Sequence, residues 1–217
     1  MSRSLAAPAC LDFLESRLLF AATPQIDFSD FASTTHLVAN GFGGSSITSG
    51  NQIRMTTDLH HQARSVWFDT AVPVGQFSTN FSFQSKADAH SADGLTFTVQ
   101  NGPTSSLGRD GRDLGYGGIG SSVAVAFDLF NFAAFGSEFG FVKNGDEPQT
   151  DTDMSPLDLH NGDVFNATVT YDGTNLKVKV TDDSDPSKTF SASEAIDIPG
   201  LIGSDTAIVG FTAATGD

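Results

Sequence analysis

Cysteine occurs once in the 217 residues, as Cys10, so no internal disulfide can form. A small secreted scaffold normally needs several bridges, but a domain of this length can bury enough apolar surface without them. Basic residues are few: Lys+Arg is 11 against 26 Asp+Glu, a formal net charge of −15. A chain so poor in cations offers no face for tracking phosphates, which excludes nucleic-acid binding. Attraction to an anionic membrane surface is excluded for the same reason. No run of about 18 apolar residues exists, so no membrane-spanning helix is expected. Charged residues make up only 17% of the chain, so the surface must rely on Ser, Thr, Asn, Gln and Gly. Tryptophan (1) and tyrosine (2) are scarce, whereas phenylalanine reaches 19. The 22 Gly and 8 Pro punctuate the sequence closely, which argues for many short strands and against a helical bundle.

What is present is period two. Phe77, Thr79, Phe81 and Phe83 alternate with Ser78, Asn80, Ser82 and Gln84, the pattern of a half-buried antiparallel strand. Leu95, Phe97 and Val99 repeat it. Val123, Val125, Phe127 and Leu129 form one face of a further strand, and Ala124, Ala126, Asp128 and Phe130 the other. Phe165, Ala167, Val169 and Tyr171 run into Asp172-Gly173, and Leu176, Val178 and Val180 return, which predicts a hairpin. Ala207, Val209 and Phe211 give a last strand. No segment keeps a helical period. The expectation is an all-β, antiparallel sandwich of about a dozen strands.

Two stretches could carry chemistry. Ser91-Ala92-Asp93-Gly94 places a carboxylate on a tight turn before a strand. The Gly-rich run Leu114–Gly120 enters a strand that ends in Asp128, Phe130 and Asn131. A carboxylate accepts hydroxyl protons, and an amide both donates and accepts. Bare glycine N–H groups admit a ligand to the backbone. An aromatic face packs on the apolar side of a sugar ring. The set is suited to a saccharide.

These motifs resemble the legume-type (L-type) lectins. The resemblance spans Ile26 to Asp217 and includes, in order, the Ala-Asp-Gly turn, the Leu-Gly-Tyr-Gly-Gly-Ile loop, the strand Ser122–Asp128, the hairpin Tyr171–Val180 and the strand Val209–Gly216. It implies a jelly-roll, concanavalin-like sandwich over residues 25–217, ending short of a final strand, with a non-catalytic site that binds a glycan. By that resemblance Asp93 accepts sugar hydroxyls after a cis Ala92–Asp93 peptide, Gly118 supplies a backbone donor, Phe130 stacks and Asn131 adds a donor. The family's metal pattern is only partly present. Its glutamate position holds Ala126, its asparagine position holds Phe132 with Asn131 one residue early, and no histidine lies between His90 and His160. The transition-metal half is expected to be lost. A lone calcium would need six or more oxygens, to which Asp128, the Phe130 carbonyl, Asn131 and Glu138 could contribute. The competing reading makes Asp128 a structural acid bonded to loop amides.

Residues 1–24 form a separate leader. The run Leu14–Ala21 resembles the LEPR-XLL motif near the start of large bacterial surface proteins, with Ser16 where that pattern has proline. It implies a secreted or cell-surface chain of bacterial origin, an adhesin with further domains. Cys10 follows Ala-Pro-Ala and reads either as a lipid acceptor or as an inert thiol. The acid runs Asp151–Asp153 and Asp182–Asp185 lack EF-hand spacing and read as solvated turns. His60 and His61 would point to opposite faces if strand-like, which disfavours joint metal ligation. Asn80-Phe81-Ser82 and Asn166-Ala167-Thr168 match the glycosylation sequon but fall inside strands.

Two other functions compete with glycan binding. A structural or adhesive module that has lost sugar binding would explain Ala126, Phe132 and the missing histidine. A jelly-roll glycoside hydrolase would need two flanking carboxylates, and the strand around Asp128 carries only one acid.

Overall fold

The computed structural model describes residues 31, 33–42, 52–131 and 134–216, without the side chains of 42, 131, 134 and 135. The leader 1–24, Cys10 and Phe132 lie outside the described residues. Among the described residues twelve strands follow in chain order: β1 Leu37–Phe42, β2 Gln62–Phe68, β3 Val72–Pro73, β4 Phe77–Gln84, β5 Gly94–Gln100, β6 Ser122–Asn131, β7 Ala134–Lys143, β8 Thr152–Asp153, β9 Val164–Tyr171, β10 Asn175–Asp182, β11 Thr189–Ala195 and β12 Thr206–Thr215. A large sheet has the order β1-β2-β12-β5-β6-β7-β8, with β3 paired to β12. A four-stranded sheet has the order β11-β10-β9-β4. Every pairing is antiparallel. The all-β antiparallel sandwich read from the alternation is therefore the architecture found. The last predicted strand, β12, lies in the middle of the large sheet between β2 and β5.

The alternation translates directly into layers. β4 and β9 put Phe81, Phe83, Phe165 and Val169 inward, against Phe97, Phe127, Phe139 and Phe211 of the large sheet. Phe81 meets Phe211 edge-on at 4.9 Å between centroids, and Phe83 lies 4.8 Å from Phe127. Much of the phenylalanine excess is this seam, where quadrupole geometry adds to area burial. The hairpin forms at Asp172-Gly173 as expected, with Gly173 at φ +93° and Asp172 Oδ1 accepting from the amides of Thr174 and Asn175 at 3.0 and 2.8 Å.

The large sheet is also covered on its other face. The loop between β5 and β6 folds back so that Leu114 and Tyr116 pack on Ala124, Ala126 and Val142. Polar anchors hold it there. Trp67 Nε1 and Ser65 Oγ donate to the Ser106 carbonyl at 2.8 and 2.7 Å, and Thr212 Oγ1 donates to that of Leu114 at 2.8 Å. The alanines facing this loop are small because the loop takes up the space above them.

Two sequence readings change. Asp182 is buried rather than solvated: its Oδ1 accepts from the Ser184 amide and hydroxyl at 2.8 and 2.7 Å, closing a turn. His61 has φ +54° and precedes β2, so the His60-His61 pair is not strand-like. Asn80 and Asn166 do lie in strands, on the exposed face of the small sheet, where each accepts from the other sequon's hydroxyl at 2.7 Å.

One short helix, Ile198–Ile202, escaped the period analysis because it spans little more than one turn. Asp197 caps it, accepting from the Gly200 amide at 3.0 Å, and Gly203 ends it in the left-handed region. Asp197→Ala should cost about 1 kcal/mol. That corresponds to a fall of roughly 2–4 °C in Tm, readable by calorimetry. An unchanged Tm would show that the cap contributes nothing.

Candidate functional site

Asp93 stands at the start of β5, and its main chain is fixed from both sides. Its N–H donates to the Ala214 carbonyl of β12 at 3.1 Å, and its C=O accepts from the Leu129 amide of β6 at 2.7 Å. The Ala92–Asp93 peptide is cis. The next residue has to be glycine: Gly94 sits at φ +148°, and a Cβ there would lie 2.2 Å from the Phe127 carbonyl oxygen. The Asp93 carboxylate is only 4% exposed. A Cβ added to Gly216 would lie 2.9 Å from Asp93 Oδ2 and 3.4 Å from the Gly111 Cα, so the bare backbone of Gly216 borders the carboxylate and Gly111 lies next to Gly216. The rim continues through His61, whose amide donates to the Gly216 carbonyl at 3.0 Å and whose ring lies 3.1 Å from Asp110 Oδ2.

Strand register sets a second row of acids beside Asp93. Gly94 pairs with Asp128, Asp128 with Glu138, and Glu138 with Asp153. Asp128 is 3% exposed. Its Oδ2 accepts the Thr150 hydroxyl at 2.6 Å and its Oδ1 accepts the Phe130 amide at 2.9 Å. Burial pushes its pKa up to about 6; the two hydrogen bonds oppose that rise, and the charges of Asp93 and Glu138 reinforce it. The partners differ from the loop amides of the structural-acid reading: one is the amide of Phe130 on β6 itself, the other the Thr150 hydroxyl. Phe130 is half-buried beyond a bulge that separates it from Asp128. Asn131 closes β6 opposite Ala134, and its side chain lies outside the description.

Gly118 does not join this group. Its N–H donates to the Gly145 carbonyl at 2.7 Å, and the Asn144 amide beside Gly145 donates to the carbonyl of Ser122. That places Gly118 near the first residue of β6, whereas Asp128 lies toward the other end. The loop glycine beside this rim is Gly111, next to Gly216 in a 3-10 turn over Gly111–Asp113, and its N–H makes no hydrogen bond among the described residues. Nothing in a glycine-dense stretch distinguishes one glycine from the next by its letters. Thr150 and His160, whose Nε2 lies 3.1 Å from the Leu129 carbonyl, carried no sequence signal either.

The family model for the legume lectin domain matches residues 23–217. The chain belongs to the legume lectin family. Among curated relatives, the basic agglutinin of Psophocarpus tetragonolobus is 28% identical over 169 residues, which is 73% of this chain and 67% of that protein. Among solved structures, the lectin of Bauhinia forficata in complex with GalNAc superposes with a TM-score of 0.74 at 19% identity, covering 88% of this chain and 91% of the other. Arcelin-5, a lectin-like defence protein of Phaseolus vulgaris, gives 0.69 at 22% identity over 87% and 88%. At these identities the superpositions establish the jelly-roll fold.

Legume lectins typically bind calcium and manganese, and the donor set here does not fit that pair. Among the described residues no group of three or more His, Cys, Asp or Glu converges to hold a metal ion. Ala126, on the same face as Asp128, is fully buried among Leu114, Tyr116 and Val142, and its methyl side chain supplies no ligand oxygen. Both Asp128 oxygens accept protein hydrogen bonds, and Glu138 alone of the remaining side chains in the candidate set is described beside it.

Proposed function

We propose that this legume lectin domain is a non-catalytic glycan-binding module of a secreted or cell-surface bacterial protein. The reading rests on one observation: a carboxylate whose backbone is fixed by two strands and bordered by the side-chain-free Gly216, with Gly111 next to that glycine. Asp93 accepts hydroxyl protons of a saccharide, the Gly111 amide donates, and Phe130 with Asn131 completes the contact. The GalNAc named in the Bauhinia complex supports a saccharide as ligand. The charge of −15 favours a neutral glycan over an anionic one. Localisation rests on the leader motif alone.

Hydrolysis is the weaker reading. A general acid must reach the glycosidic oxygen. Asp128 has the raised pKa such a role needs, yet it is buried and both its oxygens are engaged. The burial of Asp93 favours a second alternative, a structural or adhesive module without sugar binding. A glycan array probed with the full chain separates these readings. Saturable binding to at least one neutral saccharide is expected; an empty array, confirmed by calorimetric titration with simple sugars, would establish the structural module. Release of reducing ends from β-glucans would establish the hydrolase.

A further inference from the structure

The space beside Asp128 is filled by chain. Gly140 of β7 lies opposite Ala126, and a Cβ on Gly140 would meet the Gln149 carbonyl oxygen at 2.4 Å. Bare backbone at 140 therefore lets the segment carrying Gln149 and Thr150 lie directly against the sheet. Thr150, 6% exposed, then reaches Asp128 with its hydroxyl at 2.6 Å. Ala126, Gly140 and Thr150 act together: a small side chain, an absent one, and a hydroxyl that takes one carboxylate oxygen. The next amide along, Leu129 N–H, is the one that holds the Asp93 carbonyl at 2.7 Å.

We propose that this site is organised without a metal ion, with Thr150 as the positioning residue that orients Asp128 and, through Leu129, sets the backbone of Asp93. The effect on ligand rests on the glycan reading above; the independence from metal does not. A hydrogen bond from a fixed neutral hydroxyl to a buried carboxylate can hold that side chain as an ion would, but it adds no charge.

The test uses the full chain after dialysis against EDTA. Thermal melts with and without millimolar Ca²⁺ or Mn²⁺ should coincide, because an ion that binds the folded state alone would raise Tm with concentration. Affinity for an array-positive glycan should be the same in EDTA and in Ca²⁺. Thr150→Val should weaken that affinity about tenfold, and Thr150→Ser, which keeps the hydroxyl, should restore it to within roughly twofold. A saturable rise of Tm with either ion, or loss of glycan binding in EDTA restored by Ca²⁺, overturns the proposal. Thr150→Val binding as tightly as wild type overturns the positioning role. If no glycan binds, the functional reading fails by itself, and coincident or divergent melts still decide whether the site is metal-free.

Discussion

Asp93→Ala is expected to abolish glycan binding, with affinity falling at least about 100-fold. A carboxylate accepting two hydroxyl protons makes two charge-assisted hydrogen bonds, each worth about 1.5–3 kcal/mol, and alanine removes both. The loss should be specific to the ligand. The bonds that tie residue 93 to Ala214 and Leu129 run through its main chain and survive the substitution. Gly94, which fits under the Phe127 carbonyl, is untouched. The folded protein should therefore persist, with a cooperative melt and unchanged far-ultraviolet circular dichroism. Asp93→Asn keeps the shape and one acceptor while turning the other oxygen into a donor, so it should retain weak binding. Calorimetric titration of the three proteins with one array-positive glycan measures this. Binding by Asp93→Ala at wild-type strength would move the site elsewhere. Among the described residues, a shallow concavity of about 420 Å³ lined by Lys177, Lys179, Ser191 and Ser193 lies on the outer face of β9–β11 and is one place it could move to.

The parts of this molecule that could be read from its sequence are those governed by local geometry. Alternation at Phe77–Gln84 fixes which face is buried whatever the strand later pairs with, and Asp172-Gly173 turns the chain by itself. The place of Asp93 directly before a strand was legible in the letters Ala-Asp-Gly, whereas its role came only through the family resemblance. Other features depend on contacts between distant segments. The Ala124–Ala126 face looks like a weakly apolar outer surface until a loop is seen to cover it. Gly111 and Gly118 are equivalent as letters; only the fold brings one to Gly216 and the other to Gly145. Thr150 lies 22 residues beyond Asp128, in a stretch with no period, and its hydroxyl gains meaning only when Gly140 lets its segment approach. Asp153, read as part of a solvated acid run, is indeed exposed, yet it pairs with Glu138 and extends the row of carboxylates.

That row carries a cost that Asp128→Asn should remove. The Asp128 pKa is about 6 in the folded protein, against 3.8 for an unperturbed aspartate. The folded state thus binds this proton more tightly than the unfolded state does. Its contribution to stability is fully present below about pH 4 and is lost as pH rises through 6. Each unit of pKa is worth about 1.4 kcal/mol, so ionised Asp128 costs the fold up to roughly 3 kcal/mol at pH 7.5. Asparagine is neutral throughout. Its Oδ1 can still accept from the Phe130 amide, and its amide N–H can donate to the Thr150 hydroxyl, which reverses the direction of that bond. Asp93 and Glu138, the charged groups that face Asp128 from β5 and β7, also lose a like-charged neighbour. Asp128→Asn should therefore raise Tm at pH 7.5 by several degrees, with the gain shrinking toward zero as pH approaches 4. Calorimetric melts of both proteins across that range measure it. A lower Tm at pH 7.5 would mean that the negative charge itself is required. That is the behaviour of a residue whose charge holds a cation, and it would contradict a site in which a threonine hydroxyl does the holding.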